Sequence, residues 1–173
     1  MLPTLERPVL ATSAAVFHEG RVLLARRGAR PAQGLWTLPG GRVEPGETLA
    51  AAAERELMEE VGVAAEILGV AGAVDVILRD AQGEVSAHFV VVAHAARWRG
   101  GEPTTGPEAA EIGWFEPTAL PDGTTEGLPG IVATAALIVQ ATRHGPGQVA
   151  GQVPGQVPDD VAGDVADDVT RQA

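Results

Sequence analysis

"GGRVEPGETLAAAAERELMEEVG", residues 40 to 62, is the stretch on which the reading of this chain turns. Its first half is punctuated by Gly40, Gly41, Pro45 and Gly46, the composition of a turn. Its second half, residues 48 to 61, has helix-forming composition, with Thr48 placed to serve as N-cap. With Glu56 at zero on a helical wheel of about 100° per residue, Glu59 falls near −60° and Glu60 near +40°. The three acids therefore share one arc. Leu57, Val61 and Met58 fall near about 100°, 140° and 200°, the face expected to pack on a sheet. Ala52 and Ala53 are expected to point toward the acidic side one turn earlier, leaving space above it.

Carboxylates crowded in this way repel. A pair about 4 Å apart costs roughly 4 kcal/mol at an effective dielectric near 20. Arg55 stands beside Glu56, but one guanidinium cannot balance three acids and Glu47. A hard divalent cation can, and clustered carboxylates suit magnesium or manganese. Taken alone, the segment leaves two readings open: a cation site, or a solvated helix face on which acids cost little.

The wider spacing separates them. Gly41, five residues, Glu47, seven residues, then Arg55, Glu56, Leu57, Met58, Glu59, Glu60, Val61, Gly62 and Val63 resembles the complete Nudix box, G-x5-E-x7-R-E-U-x-E-E-x-G-U, where U is a bulky aliphatic. The resemblance implies an α/β fold of the α+β kind, an α/β/α sandwich around a mixed β-sheet, with this loop-helix-loop seated on the sheet. It implies that Glu56, Glu59 and Glu60 hold Mg2+, with Mn2+ as an alternative, assisted by the Gly40 backbone carbonyl. Arg55 would orient Glu56, Glu47 would join the outer shell, and Gly40 with Gly41 would let the backbone approach the ligand. The implied reaction is attack of water at phosphorus in a diphosphate linked to a nucleoside.

Composition is compatible with this. The chain has 173 residues, enough for one well-buried domain, and 45% of them are hydrophobic. A net charge of −11 argues against nucleic acid as a partner and requires local neutralisation of any anionic small molecule. Without cysteine there are no disulfides or thiolate metal sites. The opening "MLPTLERPVLATSAAVF" lacks the pattern of a secretory signal, because Glu6, Arg7 and Pro8 interrupt it. The greasy run "IVATAALIV", residues 131 to 139, is short of the roughly 20 residues a bilayer requires. A soluble, cytoplasmic protein without membrane partner is the expectation; related enzymes suggest a homodimer.

Around the box, "VLATSAAVF" and "RVLLARR" flank "HEG" as a hairpin, and "GLWTLPGG" reads as a short strand entering a glycine turn. "AEILGVAGAVDVIL" and "AHFVVVAHAARW" are expected to pair, "EIGWF" to form another strand, and residues 130 to 143 to close the fold as a helix. Residues 1 to 144 thus form the expected domain. Residues 145 to 173 are a low-complexity acidic extension in which valine returns every fourth residue, read as disordered.

Outside the box, resemblance to antimutator nucleotide pyrophosphatases assigns a phosphate contact to the Arg26–Arg27 pair, with Arg26 preferred. A further carboxylate, metal ligand or general base, is expected from "GPEAAEIGWF": Glu108 first, Glu111 second. Trp36 is expected to pack rather than stack on a base, and His18, His88, His94 and His144 show no metal-ligand spacing. For substrate, the stretch "ARRGARPAQGLWTLPGGRVEPGET" resembles ADP-ribose and nucleotide-sugar pyrophosphatases and also oxidised-nucleotide sanitisers. The proline expected of the first group about sixteen residues past the box is missing from "DVILRDA", and the asparagine of the second is missing from residues 121 to 143. No tyrosine exists to support a diadenosine-polyphosphate enzyme. An ADP-ribose-like or nucleotide-sugar substrate is the expectation, a nucleoside triphosphate the alternative, and a ligand sensor without turnover the reading from another class.

Overall fold

A computed structural model of the chain describes residues 7–30 and 32–143. The expected acidic extension, residues 145 to 173, lies outside the described residues, as does the opening segment 1 to 6. Strand β1 (Val9–His18) turns into β2 (Arg21–Arg27) through Glu19 and Gly20, both at positive φ, 47° and 82°. Two such residues match the right-handed twist of the flanking strands, and glycine takes the second position without steric cost. There follow β3 (Trp36–Thr37), β4 (Gly40–Arg42), α1 (Leu49–Val61), β5 (Ala64–Arg79), β6 (Val85–Gly100), β7 (Ala109–Phe115) and α2 (Leu128–Arg143).

The strands form one seven-stranded sheet in the order β3-β2-β1-β6-β5, with β4 also on β1 and β7 on β2. β1 and β6 run parallel and the other pairs antiparallel, so the sheet is mixed. Alternation along β1 and β2 supplies two apolar faces. Ala14, Val16, Leu23 and Ala25 meet Ala53, Leu57 and Val61 of α1. Ala15, Phe17, Val22 and Leu24 meet Leu128, Val132, Ala135 and Val139 of α2. One helix on each face gives the expected α/β/α sandwich. Among the described residues no helix is long and apolar enough to cross a membrane.

The ends of α1 are as its sequence specifies. The Thr48 hydroxyl accepts a hydrogen bond from the Ala51 N–H at 3.2 Å, and Gly62 closes the helix in the left-handed region with its N–H on the Met58 carbonyl. Two local expectations are corrected. Gly40 and Gly41 are not a free turn: they are strand β4, in register with Ser13 and Thr12 of β1. A Cβ at Gly40 would overlap the Thr12 carbonyl and the Ser13 backbone, so only glycine lets the strands approach this closely. The core side of α1 is also rotated from the expected one. Ala52, Ala53, Leu57 and Val61 are buried, whereas Met58 is 53% exposed. Small alanines on both surfaces, Ala53 against Ala14, Ala25, Ala96 and Ala109, form this contact and admit the helix close to the sheet. The buried arc then runs from Ala52 to Val61 and includes the direction of Glu60.

Candidate active site

Glu60 is the acid drawn inward. Its Oε2 accepts the Gly40 N–H at 2.9 Å, which fastens α1 to β4. Burial pushes its carboxyl above the ordinary value; the Gly40 hydrogen bond opposes that, Glu108 and Glu56 add to it, and Arg27 offsets it. Four charged groups from three parts of the chain are thus within electrostatic reach of one another. The contact at Gly40 is through its N–H; the carbonyl assigned to the metal by resemblance makes no such contact with Glu60.

Glu56 lies against Gly41, where a Cβ would overlap its carboxylate. Its other side is held by Arg55, whose Nη1 donates to Glu56 Oε1 at 2.9 Å and to Glu59 Oε2 at 3.1 Å. Arg55 Nη2 donates to Glu47 Oε1 at 2.7 Å and to the Arg42 carbonyl at 3.0 Å, and Nε to Glu47 Oε2 at 3.2 Å. All five guanidinium N–H donors are thereby used. The hydrogen bonds to Glu47 and Glu56 raise the Arg55 pKa. The same bonds, with the Glu44 N–H, hold the Glu47 carboxyl below the usual range. Glu47 acts here as the second half of a bidentate pair with Arg55. Glu59 is the outward member, 62% exposed along its side chain.

The loop bringing Glu108 crosses the end of α1: the Thr104 N–H meets the Val61 carbonyl at 3.0 Å, and the Gly28 N–H meets the Glu108 carbonyl at 2.9 Å. The second bond places Glu108 beside the end of β2, where the ladder with β7 slips between Arg26 and Arg27. Such a bulge re-aims a side chain. Arg27 and Glu108 line the cleft together with Glu56, Gly40 and Gly41. Arg26, the preferred phosphate contact, does not line it; its Nε donates to the Gly34 carbonyl and its Nη1 pairs with Glu111 at 3.3 Å. The preference for Arg26 is corrected: the alternation that carries Leu23 and Ala25 to the α1 face carries Arg27, not Arg26, to the same side. Trp36 is 8% exposed and packs edge-on against Phe115 at 4.9 Å, as core. His94, given no role, is buried and hydrogen-bonded through Nδ1 to Thr12 Oγ1 at 3.1 Å.

The cleft measures about 630 Å³. Its acidic end is lined by Glu56 and Glu108, with Glu60, held on the lining Gly40, in electrostatic reach of both; its other end runs between Val74, Val76, Leu78, Phe89 and Val91 and the segment Thr125–Leu128. Among the described residues no three acidic or histidine side chains converge as they stand into a ready metal cage. Glu56 and Glu59 are turned to Arg55, and Glu60 to Gly40. The donor chemistry nevertheless fits a hard divalent cation: every ligand group at this end is a carboxylate oxygen, and mutual repulsion around Glu60 is only partly offset by Arg27.

The family model for the NUDIX domain matches residues 7–135. The chain belongs to the Nudix family. It is 32% identical over 114 residues to an ADP-ribose pyrophosphatase of Methanocaldococcus jannaschii, covering 66% of this chain and 65% of that protein. It is 34% identical over 113 residues to an 8-oxo-dGDP phosphatase of Mus musculus, covering 62% of this chain and 32% of that protein. The chain thus spans less than two thirds of the length of either relative. The crystal structure of a MutT NUDIX hydrolase from Burkholderia pseudomallei superposes with a TM-score of 0.66 at 34% identity, covering 75% of this chain and 98% of that one.

Proposed function

We propose that this Nudix protein is a magnesium-dependent pyrophosphohydrolase that cleaves the diphosphate linkage of a nucleoside diphosphate derivative, ADP-ribose-like or a nucleotide sugar. The observation that carries the reading is the acidic end of the cleft, where Glu60 is fixed on the Gly40 N–H with Glu56, Glu108 and Arg27 around it. The similarity to a protein named ADP-ribose pyrophosphatase favours the substrate class. The similarity to an 8-oxo-dGDP phosphatase supports a second reading, a nucleotide pyrophosphatase that acts on oxidised or ordinary nucleotides without a sugar on the terminal phosphate.

In this reading Glu56, Glu59 and Glu60 hold Mg2+, with Glu108 as the additional carboxylate. When bound, the ion neutralises phosphate oxygens and lowers the pKa of an attacking water. The protein's own part is positional. Arg55 fixes Glu56 and Glu47 on one side of the site, and the Gly40 N–H fixes Glu60 on the other. Of the two arginines that line the cleft, Arg27 and Arg42, Arg27 is the one that acts on Glu60 and is suited to a substrate phosphate, in place of Arg26. Glu108, which lines the cleft in electrostatic reach of Glu60, would accept a proton from water. Arg55 has no donor left for substrate and acts through the two glutamates it holds.

The test is a panel of nucleotide sugars, ADP-ribose and nucleoside di- and triphosphates incubated with Mg2+ and resolved by chromatography. Hydrolysis at a phosphoanhydride is expected, and Glu60→Gln is expected to lower turnover about 10³-fold while the far-ultraviolet circular dichroism is unchanged. Inertness across the panel with either Mg2+ or Mn2+ would instead favour a ligand sensor.

A further inference from the structure

Thr12, Ser13 and His94 are the buried polar side chains among the described residues, and they fall in one small region of the sheet. Thr12 and Ser13 are in register with Gly41 and Gly40 of β4, and His94 of β6 lies opposite Ala14. By alternation with Ala14 and Ala96, Thr12 and His94 share the face that α1 covers. Burying polar groups is costly unless their hydrogen bonds are made. The Thr12 hydroxyl lies 3.3 Å from the Leu49 carbonyl, 3.2 Å from the Val92 carbonyl and 3.1 Å from His94 Nδ1, and Nδ1 lies 3.3 Å from the Ser13 carbonyl. The three carbonyls decide where the protons sit. Only with a proton on Nδ1 do no two lone pairs face one another. His94 then donates to the Thr12 oxygen and the Ser13 carbonyl, and the hydroxyl is left to donate to Leu49 and Val92.

The bond to Leu49 matters because Leu49 opens α1. Thr12 thereby touches both ends of the connection from β4 to the helix. Its backbone pairs with Gly41, its carbonyl closes the space beside Gly40, and its hydroxyl reaches the first residue of α1. Glu56 and Glu60 lie seven and eleven residues beyond Leu49 on the same helix, roughly 10 and 16 Å along its axis. A helix moves as a rod, so an axial shift at Leu49 carries both carboxylates past Gly41 and Gly40 together. Around Ala53 the apolar contact sets alanine against alanine, which offers few projecting groups to resist such a slide. A fully satisfied buried polar network fixes one arrangement.

We propose that Thr12 and His94 are positioning residues of the acidic end: the hydroxyl, oriented by His94 Nδ1–H, sets where α1 lies along the sheet and so where Glu56 and Glu60 stand to receive a divalent ion. This rests on the pyrophosphohydrolase reading above and extends its machinery to two residues outside the Nudix box. Both act through α1 rather than on the reacting atoms. A pair that served packing alone would matter through its volume and shape. A positioning pair matters through one hydroxyl and one N–H.

The test separates these. Mn2+ alone, titrated into the full chain and followed by water-proton relaxation, reports the ion site without turnover; kcat and KM on a hydrolysed member of the nucleotide panel report it with turnover. Thr12→Val keeps the branched shape and loses the hydroxyl, whereas Thr12→Ser keeps the hydroxyl and loses the methyl. Thr12→Val is expected to weaken Mn2+ binding and lower kcat by about tenfold each, with KM within about twofold, and Thr12→Ser to stay within about threefold of the unaltered protein. Packing alone gives the opposite order. His94→Leu is expected to match Thr12→Val, and His94→Asn, whose amide N–H stands near the place of Nδ1–H, to recover most of the loss. Because the two act as a unit, the double variant Thr12→Val, His94→Leu is expected to lose no more than about tenfold. Weaker Mn2+ binding in Thr12→Ser than in Thr12→Val, or an unchanged affinity in His94→Leu, overturns the proposal; the His94 variants decide alone if Thr12→Val does not fold. An unaltered protein that neither takes up Mn2+ nor hydrolyses the panel removes the pyrophosphohydrolase reading and the positioning role with it. One that does both, with Thr12→Val unchanged, overturns the positioning role alone.

Discussion

The two ends of the cleft are built on opposite plans. At the acidic end nearly every polar group has an assigned partner: Arg55 uses all five donors, Glu47 is gripped at both oxygens, and Glu60 is on the Gly40 N–H. At the other end the lining is mostly valine, leucine and phenylalanine, with the Arg42 guanidinium 5.8 Å from the Phe89 ring centroid. Hydrogen-bond forks and glycine contacts tolerate almost no change of residue type. Apolar contacts of similar volume tolerate several. The acidic end is thus constrained residue by residue, whereas the rim is constrained mainly in volume.

After Glu60→Gln, breaking the network at Arg55 should give the largest effect. Arg55→Ala leaves Glu47, Glu56 and Glu59 facing one another without their shared cation. Turnover should fall at least about 10²-fold through misplaced carboxylates. Arg55→Lys retains the charge but not the planar fork, so it should rescue only a small part. Measuring kcat for both variants on the substrate identified by the panel checks this, and full rescue by lysine would show that charge alone matters.

The tandem glycines should separate stability from activity. In Gly40→Ala the added Cβ meets β1 backbone, which cannot rotate away, so a loss of about 3 kcal/mol in unfolding free energy is expected. In Gly41→Ala it meets the end of the Glu56 side chain, which can swing aside. There the stability loss should be nearer about 1 kcal/mol, while turnover drops about tenfold or more because Glu56 is displaced. Urea unfolding set beside kcat distinguishes the two, and equal stability losses would mean that the Glu56 position is not set by Gly41.

How far the sequence can be read follows the same division. The acidic helix, its caps and its Arg55 partner are legible because each position demands a particular residue type at fixed spacing. The β1–β2 hairpin and the β5–β6 pair follow from β-branched runs and turn signals, whereas the parallel β1–β6 pairing and the place of β7 on β2 do not, and the glycine pair looks like a turn when it is a paired strand. The orientation of α1 is misread from sequence because Met58 outranks alanine in hydrophobicity, whereas the Ala53 contact with the sheet depends on close approach. The rim is not legible at all: "DVILRDA" and "AHFVVVAHAARW" say that two strands pair, but not that Phe89 and Val76 fall in register beside the cleft.

The smallest expected effect is also the sharpest comparison, because it concerns adjacent arginines of identical chemistry. Arg27 lines the cleft and acts on Glu60, whereas Arg26 is spent on the Gly34 carbonyl and Glu111 at the surface. Arg27→Ala should raise KM by about tenfold with little change in kcat, the mark of a contact made equally in the bound state and the transition state. Arg26→Ala should leave KM within about twofold, and its surface ion pair should cost at most about 1 kcal/mol of stability. Alternation along β2 is the physical cause of the asymmetry: Leu23 and Ala25 face α1, Arg27 continues that face, and Arg26 points to the other. Equal KM changes in the two variants would mean that both arginines reach the phosphates and that the alternation of β2 does not select between them.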